Sequence, residues 1–142
     1  MTVNQISVFV ENKSGALAQI AGDLAAAGVN MRALSIAETP DFGVLRFIAD
    51  DEEKAAEVLR KSDHVLTRTP VLAVALKDEP GCFARVMGVL AEAGIDVEYV
   101  YTFLTPRPDS ACMIFRVADN EVAEQALSAA GIRLASKEEF DG

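Results

Sequence analysis

Apolar residues fall in two rhythms along this chain, and the rhythms alternate. Ile6, Val8 and Val10 stand at every second position, as Leu72, Val74 and Leu76 do, the spacing that turns one face of a strand toward a core. After Gly15 and after Gly81 the period lengthens. Leu17, Ile20, Leu24 and Ala27 are echoed by Phe83, Val86, Leu90 and Ala93, one stripe of a helix in each case. Gly28 and Gly94 follow the last apolar position of each stripe, where a helix stops on a residue free to turn left-handed. Strands are then predicted over Met31–Glu38 and 44–49, and again over 96–104 and 112–117. Asp51 and Asp119 read as N-caps of a further helix, with acids in its first turn and, in the first half, Arg60 and Lys61 at its end. Short strands at 65–67 and 132–135 close the two halves.

The halves are copies of one unit. At a constant offset of 66, Gly15, Ala18, Gly22, Leu24, Ala25, Ala27 and Gly28 each meet an identical residue. Other pairs change in size or charge, as in Leu17/Phe83, Ile20/Val86, Val29/Ile95 and Asn30/Asp96. The relation resumes at an offset of 68, where Asp41, Phe47, Asp51, Glu53, Ala55, Leu59 and Leu66 meet Asp109, Phe115, Asp119, Glu121, Ala123, Leu127 and Leu134. The two extra residues fall in Thr105-Pro106-Arg107-Pro108, which reads as a longer turn. Two domains are expected, 1–69 and 70–142, each in the order βαββαβ. Right-handed crossovers put both helices of such a unit on one face of an antiparallel four-stranded sheet. The fold class is therefore α+β, two ferredoxin-like repeats. One 70-residue copy supplies only a thin core, so the copies are expected to pack together.

Composition narrows the partners. Of 142 residues, 51% are hydrophobic and 25% charged, the balance of a folded soluble domain rather than a disordered one. Thirteen Lys and Arg against 22 Asp and Glu leave a formal charge of -9, which opposes binding to phosphate-rich nucleic acid. The run from Phe42 to Phe47 does resemble half of an RNA-binding motif on a third strand. However, Pro40 and Asp41 stand where that motif opens with a basic residue and glycine, and Val44 takes one of the base-stacking positions. The first five residues show neither a basic nor an apolar leader region. The longest apolar run, 71–76, is far short of the about 20 residues that span a bilayer. Cys82 and Cys112, thirty positions apart, make neither a disulfide framework nor a CxxC motif. A cytoplasmic protein is expected, with no membrane and no nucleic acid among its partners.

Catalytic chemistry finds little support. His64 is the single histidine, at the entrance to a short strand, with no nucleophile and base arranged around it, and it reads as ordinary loop structure. The acids at 50–53 resemble a metal cluster but sit where a helix start favours negative charge. No catalytic residue, metal or cofactor is expected, and the chain reads as a non-enzyme.

The strand-to-helix corners carry more. Residues 12–17 and 78–83 each deliver a glycine, Gly15 or Gly81, to the mouth of a helix. Free backbone N–H groups there can hold a carboxylate. A side-chain oxygen of Asn12 or Asp78 could accept hydrogen bonds from an ammonium group, and the two together suit an α-amino acid. The plainer alternative is that glycine only permits the turn and Pro80 starts the helix.

This pattern resembles the ACT domain: a strand, then Asn/Asp-x-x-Gly-x-Leu/Phe, then an alanine-rich helix ending Ala-Gly-Val/Ile-Asn/Asp, then a strand. It occurs in both copies and covers residues 3–135. The resemblance implies a ferredoxin-like regulatory module that binds an amino acid where two such domains meet. It places the ligand loop on Asn12, Gly15, Ala16 and Leu17 in the first copy and on Asp78, Gly81, Cys82 and Phe83 in the second. The polar residue opening the second strand falls on Asn30 and Asp96. The copies differ in charge there, Asn12 and Asn30 against Asp78 and Asp96, and which loop binds stays open. The chain is similar to small stand-alone tandem ACT proteins, which implies an amino-acid-binding sensor. The alternatives are an interaction module that binds no ligand and a regulatory subunit of an amino-acid biosynthetic enzyme.

Strand alternation adds one expectation. Val100 aligns with Leu34, taken as core-facing, which turns Tyr99, Tyr101 and Phe103 to the helix-free face with Phe9, Ile48 and Ile114. An exposed apolar patch there would mark an interface, and a homodimer is expected. Tyr99 or Tyr101 could instead line the ligand pocket and offer a hydroxyl.

Overall fold

A computed structural model of the chain describes residues 2–11, 15–38, 42–103, 109–136 and 138–139. Asn12 and the expected long turn at 105–108 lie outside the described residues. The chain is α+β with four helices, and it divides into two compact units, Asn4–Thr69 and the pair of segments Met1–Val3 and Pro70–Gly142.

The unit Asn4–Thr69 contains β1 (Val3–Glu11), α1 (Ala16–Ala26), β2 (Met31–Glu38), β3 (Phe42–Ala49), α2 (Glu52–Lys61) and the opening residues of β4 (Leu66–Lys77). β3 lies between β1 and β2, antiparallel to both, and β1 pairs with β4 on its other side. Ile6, Val8 and Val10 of β1 share one face with Leu45, Phe47 and Ala49 of β3, and both helices cover it through Ile20, Leu24, Ala55, Ala56 and Leu59. Full burial of each large apolar side chain contributes about 1.5–3 kcal/mol, so this layer holds the unit together.

The second unit repeats the plan with the rest of β4, then α3 (Cys82–Glu92), β5 (Val97–Phe103), β6 (Ser110–Val117), α4 (Asn120–Ala129) and β7 (Arg133–Leu134). β6 pairs with β5 and β4, and β4 pairs with β7, all antiparallel. Its core joins Leu72 and Val74 to Phe115 and Val117 under Val86, Leu90, Ala123 and Leu127.

The helix ends follow from local chemistry. The Asp51 carboxylate accepts from the Lys54 N–H at 3.1 Å and the Asp119 carboxylate from the Val122 N–H at 3.2 Å, the capping both aspartates were expected to provide. Gly28 at φ 76° and Gly94 at φ 73° end α1 and α3 in the left-handed region. The strands expected separately at 65–67 and 72–76 form one continuous strand, β4. Pro70, which has no N–H to give a ladder, stands inside it where the chain leaves one unit for the other.

Three expectations need correction. The helix-free faces are not bare: Tyr101 is 9% exposed, Phe103 is 7% exposed, and Ile48 and Ile114 are fully buried. Their direction is as expected, since Tyr101 pairs with Ile114 and Val100 with the core residue Phe115. What fails is exposure, because water disfavours so much contiguous apolar surface and the folded chain covers it. Of the residues expected there only Phe9 is exposed, with Tyr99 half-buried, so the patch proposed for self-association is largely absent. Leu34 pairs with Phe47 and points to the core side, yet it stays 46% exposed because its strand is the outermost of its unit and the helices do not reach it. Leu17 and Phe83, read as part of the apolar helix stripes, are likewise exposed, at 38% and 40%, although Phe83 keeps one ring face on the core.

Candidate functional site

The two glycine corners form as their sequences dictate. Gly15 takes φ 87° and Gly81 φ 89° as the N-cap residues of α1 and α3, a conformation that L side chains adopt rarely. Neither helix start carries a side-chain cap. First-turn N–H groups in such a helix have no partner within the helix and remain for water or a ligand. In the second copy the Cys82 N–H donates to the Glu79 carbonyl at 3.2 Å.

The first corner opens into a cavity within the unit Asn4–Thr69. It measures about 440 Å³ and is bordered by Ala16, the first residue of α1. The last residues of β1, Phe9, Val10 and Glu11, supply one wall, and Gln19 continues the α1 side. Phe42 opens β3 opposite, with its ring centroid 5.9 Å from that of Phe9 at an interplanar angle of 60°. The turn from α2 to β4 supplies Ser62, Asp63, His64 and Val65, held in place by the Phe9 N–H donating to the Val65 carbonyl at 3.1 Å. The Ser62 hydroxyl donates to Asp23 at 3.3 Å, tying this turn to α1.

That turn has an unusual construction. α2 ends with the Asp63 N–H on the Arg60 carbonyl and the His64 N–H on the Leu59 carbonyl, both at 3.0 Å, the paired closure that normally uses glycine at its left-handed position. Asp63 takes that position at φ 62°, the one described non-glycine residue with positive φ. The closure delivers His64 to the cavity, where its Nε2 is shielded from solvent and has no hydrogen-bond partner among the described residues. A buried polar atom left unpaired costs on the order of 1–3 kcal/mol.

The structure brings few of the expected residues together. Ala16 borders the cavity, whereas Gly15, the residue before it, and the exposed Leu17 are outside its lining. Asn30 lies at the far end of α1, about 16 Å away along 11 residues of helix. There its N–H donates to the Asp50 carboxylate at 2.9 Å and its carbonyl accepts from the Asp50 N–H at 3.0 Å. In the second copy Asp78 is exposed, with its N–H on the Asp109 carbonyl. Phe83 stacks on Phe115 at 6.3 Å, and Asp96 is exposed beyond α3. Tyr99 and Tyr101 stack on each other at 6.4 Å and do not border the cavity. Cys82 is half-buried; Cys112 is buried, and burial, with Glu139 adding to it, pushes its thiol up to about 12.

Sequence reasoning missed most of the lining: Phe9, Gln19, Phe42, Ser62, Asp63, His64 and Val65. A signal existed in the repeat, because at the same offsets Phe9, Phe42, Asp63, His64 and Val65 meet Ala75, Ser110, Gly131, Ile132 and Arg133. Among the described residues no group of three or more His, Cys, Asp and Glu side chains could hold a metal ion, and no helix is long and apolar enough to cross a membrane.

Comparison with solved structures finds a protein of Bacteroides thetaiotaomicron at a TM-score of 0.92 and 32% identity, over 99% of this chain and 96% of that one. The regulatory subunit of aspartate kinase from Thermus thermophilus, in its ligand-free form, matches at 0.65 and 18% identity over 90% of this chain and 89% of that one. The corresponding subunit from Thermus flavus matches at 0.61 and 16% identity over 89% and 91%. These last two likenesses are of fold. A comparison with curated proteins gives no match. The family described as an ACT domain pair matches residues 1–139, nearly the whole chain. With two βαββαβ units and a glycine-led helix mouth in each, the chain belongs to the ACT domain pair family.

Proposed function

We propose that this protein is an amino-acid-binding regulatory module with no catalytic activity of its own. The observation that carries the reading is the cavity of about 440 Å³ at the mouth of α1. The uncapped N-terminus beside Ala16 offers backbone N–H groups to an α-carboxylate. Glu11 and Asp63 on the same rim offer negative charge to an α-ammonium group. A volume of this size lies in the range of small-molecule sites.

Regulation would come from differential binding. A ligand shifts a protein between two arrangements only as far as it prefers one of them. The second reading is a regulatory subunit that responds only together with a separate biosynthetic enzyme, and the fold shared with regulatory subunits of aspartate kinase is what supports it.

A thermal-melting screen against each common amino acid at millimolar concentration tests the proposal. Binding to the folded state adds RT ln(1 + [L]/Kd), about 2.7 kcal/mol at 100 Kd. A reproducible rise with one chemical class is expected. The absence of any rise would overturn binding of free amino acids at millimolar affinity and leave the enzyme-dependent reading.

A further inference from the structure

Resting on the amino-acid reading above, we infer that the binding site belongs to the first copy and not the second, and that it takes an α-amino acid with an uncharged, apolar side chain.

The two copies share a backbone plan, so residues at the same place in each can be compared directly. In the first copy Phe9 is 44% exposed, Phe42 is 40% exposed and Val65 is 65% exposed, and all three border one cavity. Three large apolar side chains held open to solvent around a single hollow form a surface that an apolar ligand group would cover. At the same places the second copy has Ala75, Ser110 and Arg133, which remove the two rings and add a positive charge.

The second copy also carries a bridge at the equivalent place. Gln19 and Ser62 border the first copy's cavity from its two sides. Their counterparts are Arg85 and Ala130, and there the Arg85 Nη2 donates to the Ala130 carbonyl at 2.7 Å, bridging the gap. Ile132 stands where His64 stands and is buried in the core. His64 instead borders the first copy's cavity.

Charge selects among amino acids. The described lining carries Glu11 and Asp63 and no Lys or Arg. The carboxylate of an aspartate side chain would meet like charge and two phenyl rings. The ammonium of a lysine side chain would leave water among Phe9, Phe42 and Val65, with the carboxylates matched to the α-ammonium group. A branched or aromatic side chain has neither cost.

Isothermal titration of the full chain with L-leucine, L-phenylalanine, L-aspartate and L-lysine tests this. The apolar pair is expected to bind at least about tenfold more tightly than the charged pair. Val65→Arg, Phe42→Ser and His64→Ile place second-copy residues in the first copy and are each expected to weaken that binding about tenfold or more. The first two lie at exposed positions, so the unliganded melting temperature should hold. Arg85→Ala, which removes that bridge from the second copy, is expected to leave affinity unchanged within about twofold. Tighter binding of aspartate or lysine would overturn the ligand class and leave the amino-acid reading standing. Affinity that survives the first-copy variants but falls in Arg85→Ala would overturn the placement. Silence with every amino acid would overturn the amino-acid reading itself, and this inference with it.

Discussion

Asp63 and Gly131 close the same turn in the two copies, at φ 62° and φ 76°, and only one of them is a residue built for that conformation. The left-handed region strains a residue with a Cβ, although aspartate tolerates it better than most. Asp63→Gly should therefore raise stability by about 0.5–1 kcal/mol, while Gly131→Asp lowers it by about 1 kcal/mol. Urea denaturation of both variants measures this. If the cavity binds an amino acid, Asp63→Gly should weaken that binding while it stabilises the fold, since it removes a carboxylate from the rim.

The aspartate caps are expected to contribute alike. Asp51→Ala and Asp119→Ala each leave an N–H of the first helical turn without its acceptor, at the start of α2 and of α4. Each should lose about 1 kcal/mol in chemical denaturation, and Asn at either site should restore most of it.

Burial separates residues that sequence periodicity treats as equals. Phe47 and Phe115 are fully buried at matching places in the two cores, and truncation of either to alanine should cost about 3–5 kcal/mol. Leu34 faces the same side as Phe47 but is nearly half exposed, and Leu34→Ala should cost no more than about 1 kcal/mol. Denaturation midpoints of the three variants give the contrast directly.

Cys112 makes stability depend on alkaline pH. Its thiol is raised from 9.0 to about 12 in the folded chain, so between those values the unfolded state ionises and the folded state does not. The stabilisation is complete below about pH 9 and is lost as pH rises toward 12. Cys112→Ala should flatten that part of the melting-temperature profile. In the native protein at pH 8 a thiol-reactive disulfide reagent should label the half-buried Cys82 well before Cys112.

Short-range chemistry was legible from the residues alone. The alternation of Ile6, Val8 and Val10, the caps at Asp51 and Asp119, and the stops at Gly28 and Gly94 each depend on neighbours a few positions away, and each stands in the structure where the pattern put it. The repeat made the double βαββαβ order legible for the same reason, and the glycine corner pointed to the cavity mouth at Ala16. The cavity wall was not legible, because Phe9, Phe42 and Val65 are far apart in sequence and meet only when β1, β3 and the turn before β4 are brought side by side. The burial of Tyr101 and the exposure of Leu34 escaped the alternation rule likewise. Alternation decides which way a side chain points, but whether anything covers it depends on what the rest of the chain packs there, and that is a property of the tertiary fold.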